Sequence, residues 1–532
     1  MATDAAVLDI KTSGPQKQAK MRPTSAPTVG RTWMVAVVAV APFLVALEDH
    51  AMVVALPPLQ RDLSLGLAEL EWVVNSYTLT FAVLTLGGGM LADRFGARPV
   101  FLVGVALFTA ASLVAGLSPS GSVLIGMRAT QGAGAALLGP AALAILVNSS
   151  AGSVRGLALG VWSGVVAAAT ASGPLVGALL IENGGWRSIF FLNVPLGIAL
   201  LITAGATLPA SRASTRGQSM DIAGVITSAL ALSAGVFGLS QVSKYGWTSL
   251  RVWGILGIAA AAVTVFVVVE RRVPTPLLDR SLFRLPNFLA ANLLGLLNVA
   301  VMCSMLFFLS LYLQLGVGIS AIQVGIALLP FTALIAVLAP LAGWLSARIG
   351  ARLLSGTGLA LVATGLLLLG RVDAGWGPAQ LLPGLLAAGI GLGLATTPIT
   401  MAAMEHVSAE RSGIASATLN AAGMVGMSLG IVLMGAIVSA RLPADLARSP
   451  ADPERFAAGV GSGLAVNAAL ILVAAVLAVA MLRSRRSGAT VPFWRQLEPM
   501  PSRSPNRSGG GTRVRWPSGR MRVADDGTCA DL

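Results

Sequence analysis

The sequence predicts an all-α membrane protein of fourteen transmembrane helices, arranged as two six-helix halves with a central extra helix pair. Three observations lead there. The 532 residues are 55% hydrophobic and 11% charged, with a mean hydropathy of +0.81, whereas a soluble domain carries roughly 25% charged residues. Apolar runs recur from about residue 32 to residue 482, broken only by short polar loops. A ten-residue segment also recurs: GMLADRFGAR (89–98) and GWLSARIGAR (343–352) share Gly, Leu, Arg, Gly, Ala and Arg at matching positions. Repeated halves with a site at their interface are a transporter design.

A helix needs about 20 apolar residues to cross hydrocarbon. On that criterion the first half spans near 34–57, 72–92, 99–118, 122–147, 156–181 and 188–208. The extra pair lies near 221–242 and 252–270. The second half spans near 287–313, 322–346, 353–370, 380–403, 413–438 and 459–482. The domains expected are a cytoplasmic disordered tail (1–31), an N-terminal half (32–208), a two-helix linker region (209–284), a C-terminal half (285–482) and a second cytoplasmic disordered tail (483–532). About thirty polar residues precede the first run, which is itself long enough to span, so a cleaved signal peptide is not expected.

An even number of spans puts both termini on one side, and positive charge says which. With the termini inside, the cytoplasmic loops carry twelve arginines against eight basic residues outside, and the tails add fifteen more. Asp62, Glu69 and Glu71 fall among the acids of the outer loops. The expected location is therefore a bacterial inner membrane, multi-pass, with cytoplasmic termini. The net charge of +14 sits largely in the tails, and no nucleic-acid recognition motif accompanies it. Two cysteines and two histidines make a disulfide framework or metal site improbable. No nucleotide-binding loop of Gly-x-x-x-x-Gly-Lys-Ser/Thr type is present. No cofactor and no enzyme chemistry are expected.

Taken in order, the helices hold few polar residues. Glu48 and Asp49, with His50 behind them, are the acids well inside a predicted span. Successive residues on a helix diverge by about 100°, so the three cannot share one cavity equally. Either carboxylate could be the working one. A carboxylate in hydrocarbon favours its neutral form, which makes such a group a proton carrier. The loop residues Gly89, Asp93, Arg94, Gly96 and Arg98 suit a gate, since glycine lets helix ends approach while charges pair across them. Arg128 lies within the fourth span, where insertion alone costs roughly 2.5–3.5 kcal/mol, so a partner or a cavity is expected. In the fifth, Gly173 and Gly177 permit close packing and Pro174 removes a backbone donor. Trp72, Asn75, Tyr77, Gln314 and Asn420 are candidate polar or aromatic groups of a cavity wall. Asn and Gln also bind membrane helices to each other.

These segments resemble the major facilitator superfamily. GMLADRFGAR is similar to its signature loop, with Ala97 where a basic residue is frequent. LIGMRATQGAGAA (124–136) resembles the fourth-helix Arg-x-x-Gln-Gly-x-Gly pattern, and SGPLVGA (172–178) the antiporter signature, with Ala178 in place of a glycine. LEDHAMVVALPPLQRDL (47–63) resembles the first helix of fourteen-helix drug:proton antiporters, with Glu48 at the acidic position and His50 where Thr is usual. WRSIFFLNVPLG (186–197), MDIAG (220–224), PLLDRSLF (276–283), YLQ (312–314) and GIASATLNAAGMVGMSLG (413–430) resemble the same subfamily. The resemblance implies proton coupling through Glu48, Asp49 and Arg128. It also implies gating by the loop and by Gly173, Pro174 and Gly177, and substrate contacts from the five wall residues. The expected function is proton-coupled export of a lipophilic drug, antibiotic or secondary metabolite by a monomer. The alternatives are a facilitator or importer of a small polar metabolite, or a non-transporting membrane scaffold.

Overall fold

The computed structural model describes residues 28–149, 153–208, 221–273, 280–373, 375–407, 412–441 and 453–482. All regular structure among them is helical. The first half comprises α1 (Thr28–Leu63), α2 (Leu67–Phe95), α3 (Ala97–Gly116), α4 (Gly121–Ser149), α5 (Ser153–Gly184) and α6 (Arg187–Thr207). Between the halves lie α7 (Ile222–Ser240), the one-turn α8 (Val242–Tyr245), α9 (Leu250–Arg272) and the one-turn α10 (Arg280–Phe283). The second half comprises α11 (Pro286–Leu311), α12 (Ala321–Ile349), α13 (Ala351–Leu369), α14 (Pro378–Met404), α15 (Ser412–Ser439) and α16 (Pro453–Met481). Among the described residues fourteen helices are therefore long, and thirteen are long and apolar enough to cross a membrane. The remaining one, α2, carries Glu69, Glu71 and Arg94 near its ends. Most of both tails and the stretches 209–220 and 274–279 lie outside the described residues.

The two halves pack alike. In the first, α2 and α3 close on α4, α1 on α5 and α3 on α6; in the second, α12 and α13 close on α14, α11 on α15 and α13 on α16. The seams between them run along α2 with α15 and α5 with α12. Counted within each half, the second helix of one meets the fifth of the other, twice, so the seams repeat the symmetry seen in the sequence. The repeated loop carries it at the backbone level. Gly96 turns α2 into α3 at φ 94°, and Gly350 turns α12 into α13 at φ 88°, a region that L side chains rarely adopt.

The extra pair is peripheral. α7 packs on α9 and leans on α2 and α15. Its N-terminus is capped by Asp221, whose carboxylate accepts from the Gly224 amide at 2.7 Å, as a residue preceding a helix does. α9 leaves Leu250, Trp253, Ile258, Val263 and Val265 exposed, the apolar surface that hydrocarbon covers.

Helices α1 and α2 extend beyond the spans expected from the sequence. α1 begins at Thr28 and continues through Pro42, Pro57 and Pro58 to Leu63, so Asp62 is a helical residue. It pairs with Arg187 at the start of α6 and accepts from the Trp186 indole at 2.9 Å. α2 begins five residues before residue 72. Glu69 therefore folds back on the Gly66 amide at 2.8 Å, and Glu71 lies inside the helix, 1% exposed. The expectation that Glu71 is a loop acid is corrected: the hydropathy criterion trims acids from a helix end even when the helix continues.

Candidate functional site

Pro57 and Pro58 lack the amide hydrogens that would close helical bonds to the carbonyls of Val53 and Val54. In a membrane such orphaned acceptors need another donor. The second half supplies both. Ser310 on α11 donates its hydroxyl to Val53 O at 2.8 Å, and Gln314 donates Nε2 to Val54 O at 3.1 Å. Gln314 lies in a π-helical turn, Tyr312–Gly316, that extends α11. The Tyr312 hydroxyl is shared between the carbonyls of Asp373 and Trp376, at 2.6 and 2.9 Å. The Ser310 and Gln314 bonds tie the halves together at the end of the bundle away from Thr28 and Met481, here called the distal end, and the Tyr312 bonds brace that end within the second half.

One turn and more below the prolines, consecutive carboxylates on α1 point to different places. Glu48 is 2% exposed. Its Oε1 accepts from Arg128 Nη1 at 2.6 Å and its Oε2 from Asn193 Nδ2 at 2.6 Å. Arg128, fully buried, also donates Nε to Val73 O at 3.1 Å and Nη1 to Gln131 Oε1 at 3.2 Å. Gln131 in turn donates to Ser112 Oγ at 2.7 Å, and the Tyr77 ring lies 4.2 Å from the guanidinium carbon. The network thus joins α1, α2, α3, α4 and α6. A buried charge pair is tolerable only when further hydrogen bonds satisfy it, and here most of the fork is satisfied. Gly132 against the Tyr77 carbonyl and Gly134 against the Phe108 amide let α4 come this close.

Asp49 faces the other way. It is half-buried, its Oδ1 has no hydrogen-bond partner, and it lines a narrow cleft between the halves. His50, Met52, Val53, Leu56 and Val74 complete one wall; Cys303, Leu306, Phe307, Met427 and Ile431 form the wall from α11 and α15. His50 Nδ1 donates to the Ala46 carbonyl at 2.9 Å. An apolar, methionine-bearing wall with one carboxylate is adaptable in shape and specific in charge.

The glycine motif of α5 holds α1 in place. A methyl on Gly173 would come within 2.5 Å of the His50 Cβ, and one on Gly177 within 2.8 Å of Ala51. Pro174 lies beside Gly325 of α12, and Thr332 of α12 donates to the Ala171 carbonyl at 3.1 Å. The motif therefore sits where α1, α5 and the opposite half converge. In the signature loop, Gly89 is half-buried on α2, Arg94 is exposed with its guanidinium 5.6 Å from the Phe95 ring, and Arg98 donates to the Gly205 carbonyl near the end of α6 at 2.6 Å. The Asp93 side chain lies outside the described residues.

None of the five expected wall residues lines the cleft. Trp72 packs on Phe237 of α7, ring centroids 5.8 Å apart; Asn75 is buried with neither amide atom hydrogen-bonded. Tyr77 belongs to the Arg128 network, Gln314 to the distal latch, and Asn420 is exposed on α15. Asn193, Gln131 and Ser112 are not among the sequence's candidate site residues, although Gln131 is the Gln of the fourth-helix pattern and Asn193 lies in WRSIFFLNVPLG. Asn193 lies in an apolar run, a polar residue in hydrocarbon that by itself asks for a partner.

Comparison with known proteins agrees with this architecture. The chain matches the Major Facilitator Superfamily over residues 38–431 and again over 293–508. It is 35% identical over 414 residues to the tetracenomycin C resistance and export protein of Streptomyces glaucescens, covering 78% of this chain and 77% of that one. It is 36% identical over 454 residues to the cephamycin export protein of Amycolatopsis lactamdurans, covering 84% and 92%. With the puromycin resistance protein of Streptomyces alboniger it shares 34% identity over 480 residues, covering 87% and 93%. A bacterial homologue of the human lysosomal transporter Spinster, solved inward-facing and unoccupied, shares the fold at a TM-score of 0.63 and 17% identity, over 86% of this chain and 98% of that one. The chain belongs to the Major Facilitator Superfamily.

Proposed function

We propose that the chain is a proton-coupled exporter of lipophilic small molecules, in which Asp49 exchanges a proton for substrate and the Glu48–Arg128 pair holds α1 in register. The observation that carries this reading is the divergence of two adjacent carboxylates. Glu48 is bound on both oxygens inside the first half, while Asp49 opens onto the cleft between the halves with an unpartnered oxygen. The relatives named for antibiotic export and resistance support an outward direction of transport. The positive-inside bias supports cytoplasmic termini, which makes the distal end extracellular. The halves are assigned to 32–208 and 285–482, joined by 209–284, in a monomer.

Asp49 ionised on the cytoplasmic side attracts a substrate with positive or hydrogen-donating character into an otherwise apolar cleft. When the cleft faces outward, a proton from the external medium neutralises the carboxylate, substrate leaves, and the neutral site returns to release that proton to the cytoplasm. For a neutral substrate each proton moving down 100 mV supplies about 2.3 kcal/mol; against a monovalent cation the two charges offset and the pH difference drives the exchange. Cells expressing the chain would extrude a fluorescent lipophilic cation in a protonophore-sensitive way. Asp49→Asn would abolish this extrusion, and Glu48→Gln would reduce it in step with folded protein. Extrusion unaffected by Asp49→Asn would reject the assignment, and protonophore-insensitive equilibration would point to a facilitator.

A further inference from the structure

Glu71 is a buried carboxylate with no part in the site above. It lies on the second turn of α2 at the distal end, 1% exposed, and neither oxygen has a hydrogen-bond or ionic partner among the described residues. Its carboxyl is pressed onto Gly435 of α15, where even a methyl would overlap Oε1. The contact lies on one of the two seams between the halves. Deeper along that seam Thr78 and Ser428 hydroxyls are 2.7 Å apart.

Among the described residues no charge offsets it. α15 and α7 contain no charged residue. On α4, Arg128 is held by Glu48 and the Val73 carbonyl, and on α3, Arg98 donates to Gly205. On α1, Glu48 and Asp62 have basic partners, Asp49 and His50 line the cleft, and Arg61 is exposed. On α2 itself Glu69 binds the Gly66 amide. Lys244 lies on α8, which packs on α15, with its side chain outside the described residues.

We propose that Glu71 is a second proton-binding site that closes the distal face. Its acid form seats on Gly435 when the halves meet, and its ionised form keeps them apart. A lone ionised carboxylate loses its hydration on burial without gaining a counter-charge. When α2 and α15 separate, water solvates it. Closure is therefore linked to uptake of one proton, carboxylate plus proton giving the acid, and opening returns that proton to the same side. Glu71 thus gates the face without carrying the proton across, a role distinct from that of Asp49. The inference rests on the alternating-access exporter proposed above.

The test uses the full chain in lipid nanodiscs, with spin-labelled non-natural amino acids at positions 68 and 440, at the distal ends of α2 and α15. Distances between the labels are read from pH 5 to pH 9. In the otherwise unchanged chain the open-to-closed ratio rises with pH, by at most about tenfold per unit for one linked proton. Glu71→Gln stays closed throughout, and Gly435→Ala, whose methyl unseats the carboxyl, is open even at pH 5. Glu71→Gln titrating like the parent, a parent indifferent to pH, or Gly435→Ala closed like the parent would each overturn the gate. If Glu71→Gln does not fold, Gly435→Ala decides. Loss of protonophore-sensitive efflux from the parent, with its distances still titrating, would overturn the exporter reading and leave the gate standing.

Discussion

Gln314, in the π-helical turn that extends α11, donates to the carbonyl of Val54 on α1, an acceptor that Pro58 leaves without a helical donor. Two prolines that weaken one helix thereby create the acceptors by which the other half binds it. Pro58→Ala restores the amide and lets Val54 bond within α1. Gln314→Leu removes the donor instead. Gln314→Leu should widen the distal ends of α1 and α11 in distance measurements and cost about 0.5–1.5 kcal/mol, the usual net worth of one hydrogen bond, whereas Pro58→Ala removes a helix-interior proline and should not destabilise α1. Because both act on one contact, Gln314→Leu should cost less in the Pro58→Ala background than in the parent. Additive effects would show that the two residues do not share that bond.

The Glu48–Arg128 pair should matter to stability before it matters to turnover. Arg128→Leu strands a buried carboxylate, a loss of about 3–5 kcal/mol for a broken buried pair. Glu48→Gln keeps an acceptor for Arg128 and should cost less. Thermal unfolding of the purified protein orders the variants: parent, then Glu48→Gln, then Arg128→Leu. A fully stable Arg128→Leu would remove the structural role assigned to the pair.

Gly173→Ala adds a methyl against the His50 Cβ. Overpacking of this kind costs about 1–3 kcal/mol. Its larger effect should be on transport, because the collision displaces α1 beside Asp49. Efflux per folded molecule should fall several-fold. Gly164→Ala, with open space around it, should leave both properties unchanged.

The repeated loops offer a matched pair. Gly96→Ala and Gly350→Ala each force a side chain into extended backbone at positive φ, at about 1–3 kcal/mol. Similar losses in melting temperature are expected from the two, since the same turn occurs in both halves. A loss in one and none in the other would mean that the repeat is sequence-deep only.

Much of this was legible in the chain. Fourteen apolar runs and a repeated decapeptide gave the architecture, because hydrophobic length and backbone-special glycines are local properties. The polar residues were legible as types and not as partners. Glu48 and Arg128 stand 80 positions apart, and the 100° between Glu48 and Asp49 divides two roles that the sequence left open. Trp72 and Asn420 lie on spans that resemble the family's cavity-lining helices, yet which side of a helix faces the cleft is decided by packing. Glu71 was hidden by its own charge, which ended the hydropathy run early. A signal was there: Leu67, Leu70, Val74 and Thr78 flank it at helical spacing, the pattern of a buried face.

Proton flux in reconstituted liposomes tests the central claim most directly. With a pH dye inside and a lipophilic amine or cation added to vesicles holding the parent protein, substrate should drive protons the opposite way. Asp49→Asn, which offers neither the proton site nor the charge that attracts substrate, should show no such proton movement. Proton movement undiminished in Asp49→Asn, or absent from the parent while substrate still crosses, would contradict exchange at Asp49.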